Sequence, residues 1–354
     1  MTEGNIITPP RGPRLDSLQV GRALAAEYVL LFHAPWVLSQ HLGIKLENRF
    51  LSAGHSGVDF FFVLSGFIMF LVHWRDIGRP DRLQRFAFNR FIRIYPVFWV
   101  VFAVFVLGQV LIGQLDPQLR GSLSFVQALL LLPFQGMPPL TVAWTLSHEL
   151  LFYLLLGLCI YLGRGGLIIL ALWWMCCAAA FLTFPDGTQV MSFPASFLLS
   201  PYNLLFAFGM LAAWIYPKLG QGGAVALFVV GLAGFVATIF GDAVLPFGAR
   251  TVAFGLASAA IVAGIARIEH AGNIRFPKWL VFLGDASYST YLAHTVALLI
   301  GAIVLKKSGI MLNPWLVFAL FVVLGTVGGI VLHLVVERPL LAFLRRRRAV
   351  VRNA

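Results

Sequence analysis

Apolar residues run along this chain in long blocks, each about as long as a helix that crosses a lipid bilayer. Such a helix needs about 20 mostly apolar residues. Ten segments fit this description, namely 18–38, 56–73, 92–113, 141–162, 165–184, 199–216, 223–240, 250–268, 285–305 and 314–336. The apolar run 122–134 is too short to span, so we interpret it as an interfacial or re-entrant piece. The pattern predicts an all-α, polytopic membrane protein with about ten transmembrane helices.

The composition supports this prediction. Of 354 residues, 60% are hydrophobic and 11% are charged, whereas soluble domains carry about 25% charged residues. A net charge of +12 would suit a nucleic-acid binder, but the chain has no polar surface on which to spread that charge. The three cysteines lie in apolar stretches, and no Cys/His spacing predicts a metal site. We therefore expect neither a nucleic-acid partner nor a metal.

The basic residues also predict the orientation. Of the 26 Lys and Arg residues, 19 fall on one side of the predicted spans and six on the other, while Arg22 lies within the first span. Because Lys and Arg are enriched in cytoplasmic loops, both termini are predicted to be cytoplasmic. The predicted domains are an N-terminal tail (1–14), a membrane domain (15–343) and a basic C-terminal tail (344–354).

Ionisable side chains within a bilayer are costly and often mark functional sites. Arg22 and His33 are 11 residues apart, so they share one face of the first span, roughly 16 Å apart along its axis. A neutral imidazole at this depth can act as a general base toward a hydroxyl. For His33 taken alone, simple packing against a neighbouring helix is the alternative.

Arg90 and Arg93 lie three residues apart at the start of the third span, on one helical face. Two guanidinium groups in this arrangement suit a polyanion such as a diphosphate. The alternative is that they only mark the cytoplasmic side and contact lipid headgroups.

The fourth span carries Glu149 and Tyr153, four residues apart and hence on one face. Glu149 lies about 12 Å along the helix from its outer end, near the predicted depth of His33, so the two are expected to line one cavity. Although Ser147, His148 and Glu149 are consecutive, they point in different directions and do not form a hydrolytic triad.

Further polar residues occur in other spans. Ser287, Tyr291 and His294 form a stripe on one face of the ninth span, where Asp285 is predicted to cap the start of the helix. Glu337 is expected to end the tenth span before Pro339, and it can pair with Arg22 or with the Arg90/Arg93 pair. Other intramembrane polar residues are Asp59 and Ser65.

Together these segments resemble the acyltransferase 3 family of membrane proteins, which O-acylate sugars of bacterial surface polysaccharides. The resemblance covers residues 15–343. It rests on Arg22 with His33, Gly57–Phe67, Arg90/Arg93 followed by Ile94–Pro96, Trp144–Tyr153, Ser287–His294 and Glu337–Pro339. No family role maps onto Glu27. The chain is expected to be the stand-alone form, without an esterase-like domain, as in exopolysaccharide acetyltransferases.

The resemblance implies an enzyme that moves an acyl group, most often acetyl, from acyl-CoA to a hydroxyl of a saccharide or lipid-linked saccharide. It implies no tightly bound cofactor, a location in the inner membrane of a bacterium, and contacts with membrane lipids and polysaccharide-assembly proteins. The implied catalytic residues are His33, Glu149 and Glu337, and the implied donor-binding residues are Arg22, Arg90 and Arg93. Further candidates for the cavity are Asp59, Ser65, Trp144, Tyr153, Ser287, Tyr291 and His294.

Two other functional classes also fit a membrane bundle with buried charges. A transporter or flippase would use the polar residues as a substrate path, but the sequence shows no paired halves of the kind that inverted repeats leave. A structural subunit of a polysaccharide-assembly complex would need no catalysis, which agrees less well with the presence of Arg22, His33, Arg90 and Arg93.

Overall fold

The structure, a computed structural model, describes residues 15–187, 190–272 and 274–353, and these ranges contain helices and turns but no strand. The α-helices are α1 (Asp16–Leu42), α2 (Arg49–Ser52), α3 (Gly57–His73), α4 (Leu83–Leu111), α5 (Ser122–Leu129), α6 (Trp144–Leu162), α7 (Arg164–Thr183), α8 (Ala195–Leu198), α9 (Tyr202–Ile215), α10 (Gln221–Gly241), α11 (Phe247–His270), α12 (Lys278–Ser308), α13 (Pro314–Leu332) and α14 (Arg338–Asn353). The all-α prediction is confirmed. The predicted N-terminal tail, residues 1–14, lies outside the described residues.

Among the described residues, nine helical segments are long and apolar enough to cross a membrane. They coincide with the second to the tenth of the predicted spans. The first predicted span forms α1 but is not among the nine, because Arg22, Glu27 and His33 lower its apolar character. These groups contact protein instead, since Arg22 and His33 meet residues of α12, and Glu27 accepts a hydrogen bond from Thr326 of α13. That α1 crosses the membrane stays a prediction.

Two predicted helix ends are wrong. Helix α12 begins at Lys278, after Pro277, so Asp285 lies inside the helix and cannot cap its start. The last span does not stop before Pro339. Instead, one π-helical turn (His333–Glu337) follows α13, and α14 continues with Pro339 in its first turn, where a missing backbone N–H costs little.

The helices have a clear direction relative to one another. At the end of the bundle where α1 starts, Glu269 near the end of α11 accepts hydrogen bonds from the backbone N–H groups of Asp16 and Ser17, at 2.7 and 2.9 Å. We call this the proximal end, and the opposite end, where α11 starts, the distal end. Helices α1 and α12 both start at the proximal end and pack along each other, with Gly284 of α12 against the backbone of Gln19.

This contact makes Gly284 a test of the α1–α12 packing. A Cβ at Gly284 would overlap the Gln19 backbone, so Gly284→Val is expected to force α1 away from α12 and to lower the free energy of unfolding by about 1–3 kcal/mol. Thermal unfolding of the purified protein in detergent measures the effect. The matched control is Gly108→Val in α4, where no atom lies within 4 Å of an added Cβ. Equal stability of the two variants would contradict the prediction.

Candidate functional site

A cavity of about 820 Å³, including its open mouth, lies among α1, α3, α4, α6 and α12. Its polar lining residues are Arg22, Ser65, Arg90, Arg93, Thr145, Glu149, Tyr153, Tyr288 and Tyr291. Its apolar lining residues are Val58, Phe61, Phe62, Leu64, Ile68, Met69, Ile94 and Leu146. The fold thus brings together three guanidinium groups at one cavity, although Arg22 is on α1 and Arg90 and Arg93 are on α4.

Two of the three arginines keep donors that the protein does not use. The Nε atom of Arg22 donates a hydrogen bond to Ser287 Oγ at 3.2 Å, and no other hydrogen bond to its guanidinium occurs within the described part of the chain. The Arg90 guanidinium lies 5.6 Å from the ring centroid of Tyr153, and its buried Nε has no partner among the described residues. Because a buried donor without a partner costs free energy, these groups are suited to an anionic ligand.

The third arginine is held by a carboxylate. Arg93 forms an ion pair with Glu337, which is fully buried, and its guanidinium lies 5.1 Å from the ring centroid of Tyr288. Glu337 also accepts hydrogen bonds from Ser289 Oγ at 2.7 Å and from the His333 ring at 2.8 Å. Of the pairings that the sequence left open for Glu337, the structure shows the one with Arg93.

The π-helical turn His333–Glu337 positions this carboxylate. Such turns are rare and occur often at functional sites. Glu337 itself does not line the cavity but lies behind Arg93, so its direct role is to fix the guanidinium on the cavity wall.

Glu149 is the acidic residue of the cavity wall. Its Oε1 atom accepts hydrogen bonds from Ser65 Oγ at 2.9 Å and from the Tyr153 hydroxyl. The predicted shared face of Glu149 and Tyr153 is thereby confirmed. Ser147 donates to the Leu131 carbonyl and His148 contacts the Asn203 side chain, so the three consecutive polar residues point in different directions, as expected.

His33 lies outside the cavity wall and pairs with His294, so the expectation that His33 and Glu149 line one cavity is not met. Tyr291 lines the cavity, and its ring lies 5.9 Å from that of His294, the partner of His33. Sequence spacing gave the depth of each residue along its helix, whereas the rotation of α1 depends on its packing against α12. Among the described residues, no carboxylate contacts His33.

The hydrogen bonds of the histidine pair define its protonation. The Nδ1 atom of buried His294 lies 3.1 Å from the Thr290 carbonyl, which can only accept, so Nδ1 carries the proton and Nε2 is an acceptor. The Nδ1 atom of His33 lies 3.0 Å from the Val29 carbonyl and 3.2 Å from His294 Nε2, so it also carries a proton. In the neutral imidazole, the Nε2 atom of His33 then keeps its lone pair, and it has no hydrogen-bond partner within the described ranges.

Four predicted cavity residues lie outside the cavity wall. Ser287 accepts from Arg22, and His294 contacts His33. The Trp144 ring packs against Phe62 and Tyr202, and Asp59 is buried without lining the cavity.

Residue spacing alone does not single out Thr145, Tyr288, Ser289 or His333 as site residues. Of these, His333 could have been predicted, because it precedes Glu337 by four residues and so lies on the same helical face. The other three lie beside selected residues, and only their tertiary contacts distinguish them.

The chain is similar to known proteins along most of its length. The family model described as an acyltransferase domain matches residues 15–334. The exopolysaccharide production protein ExoZ of Rhizobium meliloti (strain 1021) is 33% identical over 337 residues, which cover 90% of this chain and 96% of that protein. Acyltransferase MdmB of Streptomyces mycarofaciens is 29% identical over 385 residues, which cover 97% and 95% of the two chains. No solved structure matches the chain.

Proposed function

We propose, from the premise that this chain belongs to the acyltransferase family whose model spans residues 15–334, that it transfers an acyl group from acyl-CoA to a saccharide hydroxyl. The chain is a multi-pass membrane protein and an acyltransferase for groups other than aminoacyl groups. The observation that carries the choice of donor is the cavity with Arg22, Arg90 and Arg93 on its wall.

Acyl-CoA is suited to this cavity because its phosphates are multiply charged anions. Guanidinium groups bind phosphate through two parallel hydrogen bonds, and Arg22 and Arg90 each have an unused donor. Glu337 keeps Arg93 oriented, while Glu149 offsets part of the positive charge. Because His33 lies roughly 16 Å beyond Arg22 along α1, the long pantetheine arm would carry the thioester from the arginines toward His33.

The chemistry assigned to His33 is general base catalysis. Its Nε2 lone pair takes the proton of the acceptor hydroxyl while that oxygen attacks the thioester carbonyl. As the carbon–sulfur bond breaks, the proton passes to the CoA sulfur, which leaves an ester and free CoA thiol. His294 supports this step, since its Nε2 accepts a hydrogen bond from the imidazolium that forms on His33.

The acceptor is assigned to the saccharides on the basis of the relative named for exopolysaccharide production. The same proposal places the enzyme in the inner membrane of a bacterium with both termini cytoplasmic, so that acyl-CoA arrives from the cytoplasm. Membrane lipids and polysaccharide-assembly proteins are the proposed neighbours. No tightly bound cofactor is required by this chemistry.

The proposal is tested with purified protein and with whole cells. In detergent, the protein should release CoA from acetyl-CoA when a suitable saccharide is added. In cells, removal of the protein should lower the O-acyl content of the surface polysaccharide, as measured by mass spectrometry. A protein that neither hydrolyses nor transfers from any acyl-CoA would contradict the proposal and favour a transporter.

Arg90 tests the donor site. Arg90→Ala is expected to raise the Kd for acetyl-CoA by roughly 10- to 100-fold, because a hydrogen bond between charged groups contributes about 1.5–3 kcal/mol. Isothermal titration calorimetry on the purified protein gives this value. The control is Arg85→Ala, which removes an exposed arginine of the same helix outside the cavity. If both variants bind acetyl-CoA equally well, Arg90 does not bind the donor.

A further inference from the structure

A second group of polar side chains lies at the distal end of the bundle. We call it the distal cluster, and its members are Tyr28, His55, Asp59, Tyr202, Asp242 and Arg250. At its centre, Asp242 Oδ1 lies 3.2 Å from both His55 Nε2 and an Nη atom of Arg250. Arg250 is in the first turn of α11, about 28 Å along that helix from Glu269. None of the cluster's members lines the cavity that holds the three arginines.

Several atoms of the distal cluster are buried without a hydrogen-bond partner among the described residues. They are the Tyr28 hydroxyl, Asp59 Oδ1 and Arg250 Nε. Asp59 is only 2% exposed, and the charges of Arg250 and Asp242 act on it, as that of Asp242 acts on Tyr28. A cluster that served only to tie α10 and α11 together would gain from pairing these atoms, because each unpaired buried polar atom costs free energy. A bound polar ligand would satisfy such atoms.

The distal cluster adjoins His33. The ring of Phe32 lies 4.9 Å from that of His33 and 5.9 Å from that of His55. Arg22 lies about three turns away from His33 in the other direction along α1. Tyr28 lies between Arg22 and His33 along the same helix, so the cluster flanks the stretch of α1 that leads to His33.

The distal cluster is poorly suited to the CoA phosphates. The guanidinium of Arg250 already pairs with the Asp242 carboxylate, so it is not free to bind a polyanion. A polyol is suited to this mixture, because each hydroxyl both donates and accepts. Arg250 lies over the ring of Phe247, which also packs against Tyr202 at 5.6 Å, and such apolar ring surface complements the C–H groups of a sugar.

We propose that the distal cluster is the acceptor subsite and binds the hydroxyls of a saccharide ring whose reacting hydroxyl is directed to His33. This inference rests on the proposed function. Within it, Tyr28 and Arg250 Nε donate to sugar oxygens, and Asp59 accepts from a sugar hydroxyl. Asp242 is a positioning residue, since it holds His55 and Arg250.

The test uses two substitutions that keep the protein interactions of the cluster. Tyr28→Phe removes only an unpaired buried hydroxyl, and Arg250→Lys keeps one donor for Asp242 but loses the Nε donor. The matched control is Tyr161→Phe in α6, where the tyrosine is 55% exposed. The assay measures CoA release from acetyl-CoA by purified enzyme, with oligosaccharides released from the surface polysaccharide of cells that lack the protein as acceptors.

Tyr28→Phe is expected to raise KM for the oligosaccharide about tenfold, and Arg250→Lys by more, while KM for acetyl-CoA stays within twofold. Thermal unfolding of Tyr28→Phe should occur at the wild-type temperature or above, which a purely structural hydroxyl would not explain. An unchanged oligosaccharide KM in both variants, or an equal rise in KM for acetyl-CoA, would overturn the acceptor subsite alone. If the wild-type enzyme transfers to no oligosaccharide, the proposed function fails together with this inference.

Discussion

Replacing His33 by alanine is expected to lower kcat for acyl transfer by about 10²- to 10⁴-fold, the usual contribution of a general base. The reason is that His33 Nε2 is the basic nitrogen of the histidine pair that has no hydrogen-bond partner in the described part of the chain. The Kd for acetyl-CoA should stay within about twofold, since His33 lies outside the cavity wall. CoA release by the purified enzyme and calorimetric binding of acetyl-CoA measure the two quantities.

The control for this substitution is His41→Ala, which removes an exposed histidine from the same helix. A second comparison uses His294. If His294 acts through His33, then His294→Ala lowers kcat, but the double variant His33→Ala/His294→Ala is no slower than His33→Ala, because residues that act as a unit are not additive. A His33→Ala enzyme with more than half of the wild-type kcat would remove His33 from the mechanism.

The second large effect concerns stability. Arg93→Met would leave the Glu337 carboxylate buried without its guanidinium partner, and the loss of one member of a buried ion pair costs about 3–5 kcal/mol. The free energy of unfolding in mixed micelles is expected to fall by this amount. Arg85→Met, which removes an exposed arginine of the same helix, should change it little.

A double variant separates the ion pair from the packing of Arg93. Arg93→Met/Glu337→Leu removes both charges, and it should recover most of the lost stability, since an apolar pair of similar volume often replaces a buried ion pair without cost. It should not recover acetyl-CoA binding if Arg93 contributes to the donor cavity. Equal stability of the single and the double variant would mean that Glu337 does not depend on Arg93.

The helices were largely predictable because bilayer-spanning segments are long and apolar, and nine of the predicted segments agree with the structure. The ends of the helices were harder to predict. Asp285 was predicted to cap the start of the helix. Apolar residues precede it, however, and α12 starts about two turns earlier, at Lys278. Similarly, Pro339 was expected to end a helix, yet it is tolerated in the first turn of α14 after a π-helical turn.

For the site, the spacing of polar residues correctly grouped Arg22 with His33 and Glu149 with Tyr153. It could not predict which helix each face meets. The contact between His33 and His294 spans 261 residues, and the choice of Arg93 as partner of Glu337 depends on how α4 packs against the π-helical turn. The pairing of Arg250 with Asp242 and His55 could not be predicted from the sequence, because it depends on three separate segments.

The polar character of α1 has a consequence for biosynthesis. Helix α1 is made well before α12 and α13, which carry the residues that cover Arg22, His33 and Glu27. Until then, the helix would have to expose charged groups to lipid, which is costly. If α1 crosses the membrane as predicted, its stable insertion has to await the synthesis of α12 and α13, and chains that stop before α12 are expected to be substrates of membrane quality-control proteases.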